Sequence, residues 1–366
     1  MKPNGNGRRW HRRPGVVGGG VRCSERLLWI ATVVSLLFLY FSANQRLLHI
    51  RSNMMLDSAR FYDILDRMSS SSESNDRMRS DYSMAYEESL GFFRDIPERA
   101  WLRRKAITHS RIHVGVEDPF ERIFAPAWYQ QNWDPDFACF YEDEIGGNQD
   151  GHKWVCDPHR LRQYPNDCLV YSFGSNNEFS FETHLQRIAP NCEIHIFDPT
   201  DYSRELQQQL QQQQQEYPNT ETTRPPNITY HAWGLQPTEE AHNADEVFTE
   251  IGNTTAHQIQ ERNQRRVVQF KTLDDTLREL GHTGRRIDIF KIDCEGCEYE
   301  TYRDFLRADL RQILIEVHEQ VHMTQHLFQD IHDAGYVLFH KEPNIQHGSG
   351  KCVEFSFLKL GKKFFS

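Results

Sequence analysis

The chain has 366 residues, 38% hydrophobic and 12% aromatic, enough to bury one large core or two small ones. Its mean hydropathy of -0.71 is low for a compact domain, which places polar segments outside that core. The formal net charge is -10, but residues 1–26 carry +6 (Lys2, Arg8, Arg9, Arg12, Arg13, Arg22 and Arg26 against Glu25), leaving the remainder at -16; so acidic a body repels phosphate backbones and disfavours nucleic acid as a partner.

Residues 27–43, LLWIATVVSLLFLYFSA, run 17 positions without a charge, at the short end of what spans a bilayer. Basic residues crowd their N-terminal side, so the positive-inside rule predicts residues 1–26 as a cytosolic tail and the bulk as luminal. A cleaved signal peptide is the alternative, but the long basic leader and bulky Phe41 before Ala43 make a poor cleavage site. The expectation is a single-pass type II membrane protein of the Golgi or endoplasmic reticulum. The sequons at Asn227 and Asn253 agree with a luminal glycoprotein. Seven of the eight cysteines follow the anchor, and an odd number in an oxidising lumen leaves one unpaired or intermolecular. Cys139 and Cys156 form the best candidate disulfide.

Residues 44–90 read as a stalk, with a polar run at Ser69–Asp76. Residues 91–165, rich in Trp, Phe and Pro, are expected to cap a main domain at 166–366. That domain begins with a strand at Leu169–Phe173, a helix over 180–189 and a strand at Glu193–Phe197. The run QQQLQQQQQ at 207–215 reads as a solvated insertion in a loop or helix end. Val267–Phe270 is a third strand; Thr272 opens a helix, with Asp275 completing its cap, and Gly281 closes it. Ile287–Ile292 is apolar, as buried parallel strands are. Ile313–Val317 and Tyr336–Phe339 follow, and Val353–Leu358 alternates as an antiparallel edge pair would. Alternating strands and helices predict an α/β, doubly wound, Rossmann-like sheet that binds ligands at its carboxyl edge.

Two constellations carry chemistry. In VYSFGSNNE, Gly174 ends the first strand and Asp198 ends the second, 24 positions later. A glycine there lets a ligand touch backbone, and an acid there can accept hydrogen bonds from both ribose hydroxyls. A pyrophosphate cradle needs three glycines, so NAD and FAD are disfavoured and a phosphate-free nucleoside such as S-adenosylmethionine is preferred. In IDIFKIDCEGCE, a buried strand delivers Asp293 and Glu295 to the same edge, and Lys291 is expected to pair with one of those acids. Glu316 and His318 end the next strand. Asp293, Glu316 and His318 could alternatively chelate a divalent metal, though no tight spacing marks a site. Cys294-x-x-Cys297 mimics a redox pair, but its acidic surroundings raise thiol pKa. Asp134-Pro135-Asp136 matches the metal-binding pair of sugar transferases, yet follows no apolar strand.

The segment KIDCEGCE resembles the (I/L)D-x-EG-x-E element of the FkbM-like methyltransferase family. VYSFGSNNEFSFE, IFDPT, HAWGL and TLDD follow in that family's order, as does GGNQDGHKWVCDP of its membrane-anchored branch. The likeness covers residues 137–360. It implies a class I S-adenosylmethionine-dependent methyltransferase, often acting on a hydroxyl. By position, Gly174 and Ser175 would line the methionine half, Asp198 would hold the ribose, Trp233 would flank the adenine and Asp293 would sit near the methyl group. The first motif departs from the D/E-x-G-x-G form of ordinary methyltransferases, which leaves a silent relative open. A hydroxyl acceptor wants a base, for which Asp293, Glu295, Glu316 and His318 are the candidates. The reading is thus O-methylation of a luminal glycan, lipid or secreted protein; the alternatives are an inactive binding module with the same fold and a luminal glycosyltransferase.

Overall fold

A computed structural model describes residues 83–111, 124–147, 151–163, 168–216, 226–238, 269–345 and 350–366. The expected tail, anchor at 27–43 and sequon at Asn253 lie outside these residues. Among the described residues, no helix is long and apolar enough to cross a membrane.

The chain first forms helices α1 (Ser83–Glu88), α2 (Glu98–His109) and α3 (Ala125–Gln131), then the antiparallel pair β1 (Glu142–Ile145) and β2 (Lys153–Cys156). Next come β3 (Leu169–Phe173), α4 (Ser180–Ile188), β4 (Glu193–Phe197), α5 (Ser203–Glu216), β5 (Ile228–His231) and β6 (Trp233–Leu235). They are followed by β7 (Gln269–Lys271), α6 (Leu273–Glu279), β8 (Ile287–Ile292), α7 (Cys297–Phe305) and β9 (Leu310–His318). The chain closes with α8 (Val321–Asp333), β10 (Tyr336–Asn344), β11 (Cys352–Lys359) and a 3-10 turn at Lys362–Phe365.

Seven strands make one sheet in the order β10-β11-β9-β8-β3-β4-β5. β3, β4, β5, β8 and β9 pair in parallel, and β11 runs antiparallel between β9 and β10. The expected antiparallel pair therefore does sit at the sheet's edge, but β11 is the inner member and is buried almost throughout. Its alternation sorts two interiors. Val353, Phe355 and Phe357 join the core formed with Phe173, Phe290 and Phe328. Glu354 and Ser356 face β2 instead of water: Ser356 Oγ donates to the Trp154 carbonyl at 2.9 Å and Glu354 meets Lys153. Alternation alone cannot tell a polar partner from solvent.

The described residues of 83–111 and 137–161 form the layer on this second face, whereas α3 packs with Phe328 on the first. Phe92, Phe93, Trp101, Phe137 and Val155 pack with Val170, Ile289 and Leu314 of the sheet, burial worth about 1.5–3 kcal/mol per large side chain. Residues 83–90, expected as the end of a stalk, belong to this layer: Ala85 is fully buried, and Gly361 N donates to the Glu88 carbonyl at 2.6 Å. Apolar residues of the expected cap thus contribute to both core clusters.

The glutamine run is the C-terminal part of α5, whose Leu206 and Leu210 pack on Phe179 and Ile196. Leucine spacing at i, i+4 gives the helix one apolar stripe even though the run itself is polar. Thr272 caps α6 as expected, accepting from Asp275 N at 3.1 Å. Disulfides join Cys139 to Cys156, Cys168 to Cys192 and Cys294 to Cys297, and Cys352 is free. The middle one ties the starts of β3 and β4.

Candidate active site

β3 lies between β4 and β8, so the chain leaves the carboxyl edge in opposite directions on either side of it. Such a switch point opens a crevice. The loop after β3 enters it with Gly174 at φ +78, Asn176 at +45 and Asn177 at +66. Gly174 is required, but for a reason the sequence did not suggest: a Cβ there would lie 1.7 Å from the Asp293 carbonyl oxygen. The constraint is the crossing of two loops of the protein itself. Asp293 N donates to the Phe173 carbonyl and Gly174 N to that of Phe197, which locks the ends of β8, β3 and β4 together. Lys291 does not pair with the motif acids as expected; its ammonium donates to the Gly174 carbonyl at 3.4 Å.

Asp198 closes the other side. It is 6% exposed, and its oxygens accept from Asn176 N at 2.9 Å, Thr200 N at 2.8 Å and Ser175 Oγ at 3.5 Å. A carboxylate offers about four lone-pair sites. Three contacts from the protein leave Asp198 at least one acceptor position for a ribose. Trp233 stands beside Phe197 and His231, half-buried, with the Lys271 ammonium 3.7 Å from its ring centroid. A base flanking it must share the ring with that cation. Its indole Nε1 is buried and has no hydrogen-bond partner among the described residues.

The acid-rich half is organised by a residue the sequence reading passed over. Lys153, from β2, is 1% exposed and reaches Glu354 Oε1 at 2.6 Å, Asp293 Oδ2 at 3.2 Å and Glu316 Oε2 at 4.0 Å. Backbone pairing delivers it: the Gln312 side chain bonds both Cys156 N (2.9 Å) and Cys156 O (3.0 Å), pinning β2 across β9. Burial opposes the Lys153 charge, but its three carboxyl neighbours outweigh that and raise its pKa. Burial likewise works against Asp293, yet Lys153 and Lys291 hold its carboxyl well below the usual range. Glu316 goes the other way, pushed up to about 9 by burial and by the charges of Asp293 and Glu354. Glu316 also hydrogen-bonds Asp293, so this pair keeps one proton at neutral pH. Burial raises Glu354 too, against the pull of Lys153.

His318 sits between the motif's other acids, with Nδ1 3.3 Å from Glu298 Oε1 and Nε2 3.5 Å from Glu295 Oε2. Burial lowers its pKa, but the hydrogen bond and charge of Glu298, with Glu295 and Asp293, carry it up to about 9. Glu298, fully buried, also accepts from Gly296 N. Glu295 remains 77% exposed at the rim. The structure thus brings Asp293, Glu316 and His318 together and leaves Glu295 outside. The metal alternative for these three meets an ammonium: Lys153 already holds the cation position against Asp293 and Glu316. Two sequence motifs are absorbed structurally. Cys294 and Cys297 are joined as a disulfide, and Asp136 accepts from Leu338 N at 3.0 Å and faces His332 Nε2 at 3.2 Å while Asp134 meets Lys341. That aspartate pair is not free to hold a metal for a sugar transferase.

A family model described as a methyltransferase domain matches residues 83–359. The chain belongs to that family. It is an S-adenosylmethionine-dependent methyltransferase with a Rossmann-like fold and a mixed seven-stranded sheet. No curated protein matches the chain. Among solved structures it is similar to precorrin-6y C5,15-methyltransferase from Geobacter metallireducens (11% identity, TM-score 0.29, 55% of this chain and 85% of that one). It is also similar to the fibrillarin pre-rRNA processing protein of Methanococcus jannaschii (10%, 0.29, 62% and 89%) and to an rRNA methylase from Streptococcus thermophilus (12%, 0.27, 55% and 92%). Likeness at that level identifies neither an acceptor nor a mechanism. For the methyltransferase, the donor the domain implies fits the crevice in three respects. Asp198 keeps a free acceptor position, Trp233 beside Phe197 has an indole N–H with no partner among the described residues, and the loop after β3 carries a single glycine, not a phosphate cradle. Ser175, Asp198 and Trp233 would hold the nucleoside; Gly174 shapes the loop without touching it through a side chain.

Proposed function

We propose that this methyltransferase is FkbM-like, anchored by residues 27–43, and methylates a hydroxyl of a luminal glycan, lipid or secreted protein. Three disulfides among seven described cysteines support an oxidising compartment. Asn227 adds little to this, because its side-chain amide already donates to the Cys192 carbonyl at 3.5 Å. The observation that carries the oxygen-acceptor reading is geometric: the Asp293 carboxylate stands 3.2 Å from the buried Lys153 ammonium, on the carboxyl edge where the methyl group would lie.

S-adenosylmethionine supplies an electrophilic methyl, so the protein's work is mainly positioning and exclusion of water. Asp293, ionised, accepts a hydrogen bond from the acceptor hydroxyl and aims its oxygen. Lys153 keeps Asp293 ionised. Glu316 and His318 hold protons at neutral pH; the hydroxyl proton passes to whichever of them has released its own, as the new O–C bond forms and the S–C bond of the sulfonium breaks. The rate should therefore rise with pH toward about 9, as a group that must be deprotonated dictates.

The first experiment is thermal unfolding of the detergent-solubilised full chain with and without S-adenosylmethionine, beside Asp198→Ala. A ligand at 100 times its Kd should add about 2.7 kcal/mol, and the variant should lose that gain. Radiolabelled methyl transfer to membrane fractions then identifies the acceptor; a label found on nitrogen sinks the hydroxyl reading. Protease digestion of the C-terminal domain in intact vesicles would sink the luminal one.

A further inference from the structure

A second polar cluster lies on the other face of the sheet, at the amino-terminal start of β4, and the methyl-transfer reading makes no use of it. Glu193 and His195 come from β4, and His282 follows α6. Glu193 Oε1 lies 3.1 Å from His195 Nε2 and 3.4 Å from His282 Nε2, and the three atoms are all within 4.8 Å of one another. Tetrahedral coordination at about 2.1 Å sets ligand–ligand edges of about 3.4 Å. The two Glu193 edges, 3.1 and 3.4 Å, are short enough for the three groups to share one ion.

The remaining donor on each ligand is engaged. Glu193 Oε2 accepts from Arg285 Nη1 at 2.9 Å, which leaves Oε1 directed at the two rings. His195 Nδ1 lies 2.8 Å from His231 Nε2, and His282 Nδ1 lies 2.7 Å from the Tyr171 hydroxyl. Both contacts can be made with the proton on Nδ1, which leaves each Nε2 lone pair for a metal. Both rings are buried, so a bound ion would be held away from bulk solvent on that side. Glu193 is 34% exposed, which opens a fourth position to water. Two imidazoles and one carboxylate are a ligand set that suits zinc.

We propose that Glu193, His195 and His282 form a zinc site that ties the segment after α6 to β4, with water as the fourth ligand. The competing arrangement is a metal-free network in which both Nε2–H groups donate to Glu193, and the test must separate the two.

The full chain is stripped with chelator and titrated with zinc alone, bound metal being counted after gel filtration. About one zinc per chain is expected at micromolar free zinc, with at least roughly a hundredfold weaker binding in His195→Gln and His282→Gln. Tyr171→Phe, which leaves the ligands in place, should weaken binding about tenfold. Substituting cobalt in the unaltered chain gives a readout that does not depend on variant folding: a tetrahedral visible spectrum without a thiolate charge-transfer band. Zinc uptake well below one per chain overturns the proposal. So does uptake unchanged in a folded His282→Gln, loss confined to His318→Gln, or a cobalt–thiolate band, which would move the ion to Cys352.

Discussion

The two faces of the sheet bury ionisable groups by opposite means. On the β2 side, Lys153 enters among Asp293, Glu316 and Glu354, so charge is met with charge and one proton is shared. On the α6 side, His195, His231 and His282 stay neutral around a single carboxylate. Burial pulls all three imidazoles down, His231 to about 4, with His195 adding to the effect. Coulombic attraction in a low-dielectric interior stabilises the first cluster only while every partner is present; the second tolerates loss of one hydrogen bond at a time. The first is therefore the more fragile, and lies at the reacting edge.

The largest expected effect breaks that contrast directly. Lys153→Met strands three carboxyl groups and should cost about 3–5 kcal/mol in urea unfolding, whereas His231→Gln should cost about 1 kcal/mol. Similar costs for the two would erase the distinction. Next is Gly174→Ala, which drives a Cβ into the Asp293 carbonyl at positive φ; about 3 kcal/mol of stability and the response to S-adenosylmethionine should both be lost. If the variant binds cofactor normally, the loop crossing is not what the crevice depends on.

The pH responses should be smaller and of opposite sign. His318 has a raised pKa in the fold, so the stability it adds is complete below about 6.5 and lost as pH climbs through about 9. His231 has a depressed one, so its contribution is complete above about 6.5 and lost as pH falls through about 4. The unfolding free-energy difference between the unaltered chain and His318→Gln should shrink at alkaline pH, and that for His231→Gln at acid pH. Parallel trends would mean the two faces are not electrostatically distinct.

The sequence by itself determined the succession of β3, α4, β4, α6, β8 and β9, the positions of Gly174, Asp198 and Asp293 at their ends, and the Cys139–Cys156 pair. These follow from local signals: apolar runs set strands, caps and glycines set helix ends, and an acid after a strand falls at the sheet's edge whatever surrounds it. Only the tertiary structure decided that Ala85, Phe92, Phe93, Trp101, Phe137 and Val155 are core residues, that Gly174 yields to a backbone crossing, and that Asp198 already accepts from the loops around it. Lys153 shows the reason most plainly. A lysine in a four-residue strand looks solvated, and nothing near it in the chain says otherwise. Its partners lie 140 and 201 positions away. They meet it because β2 is pinned across β9 and β11, and the low carboxyl pKa of Asp293 follows from that packing.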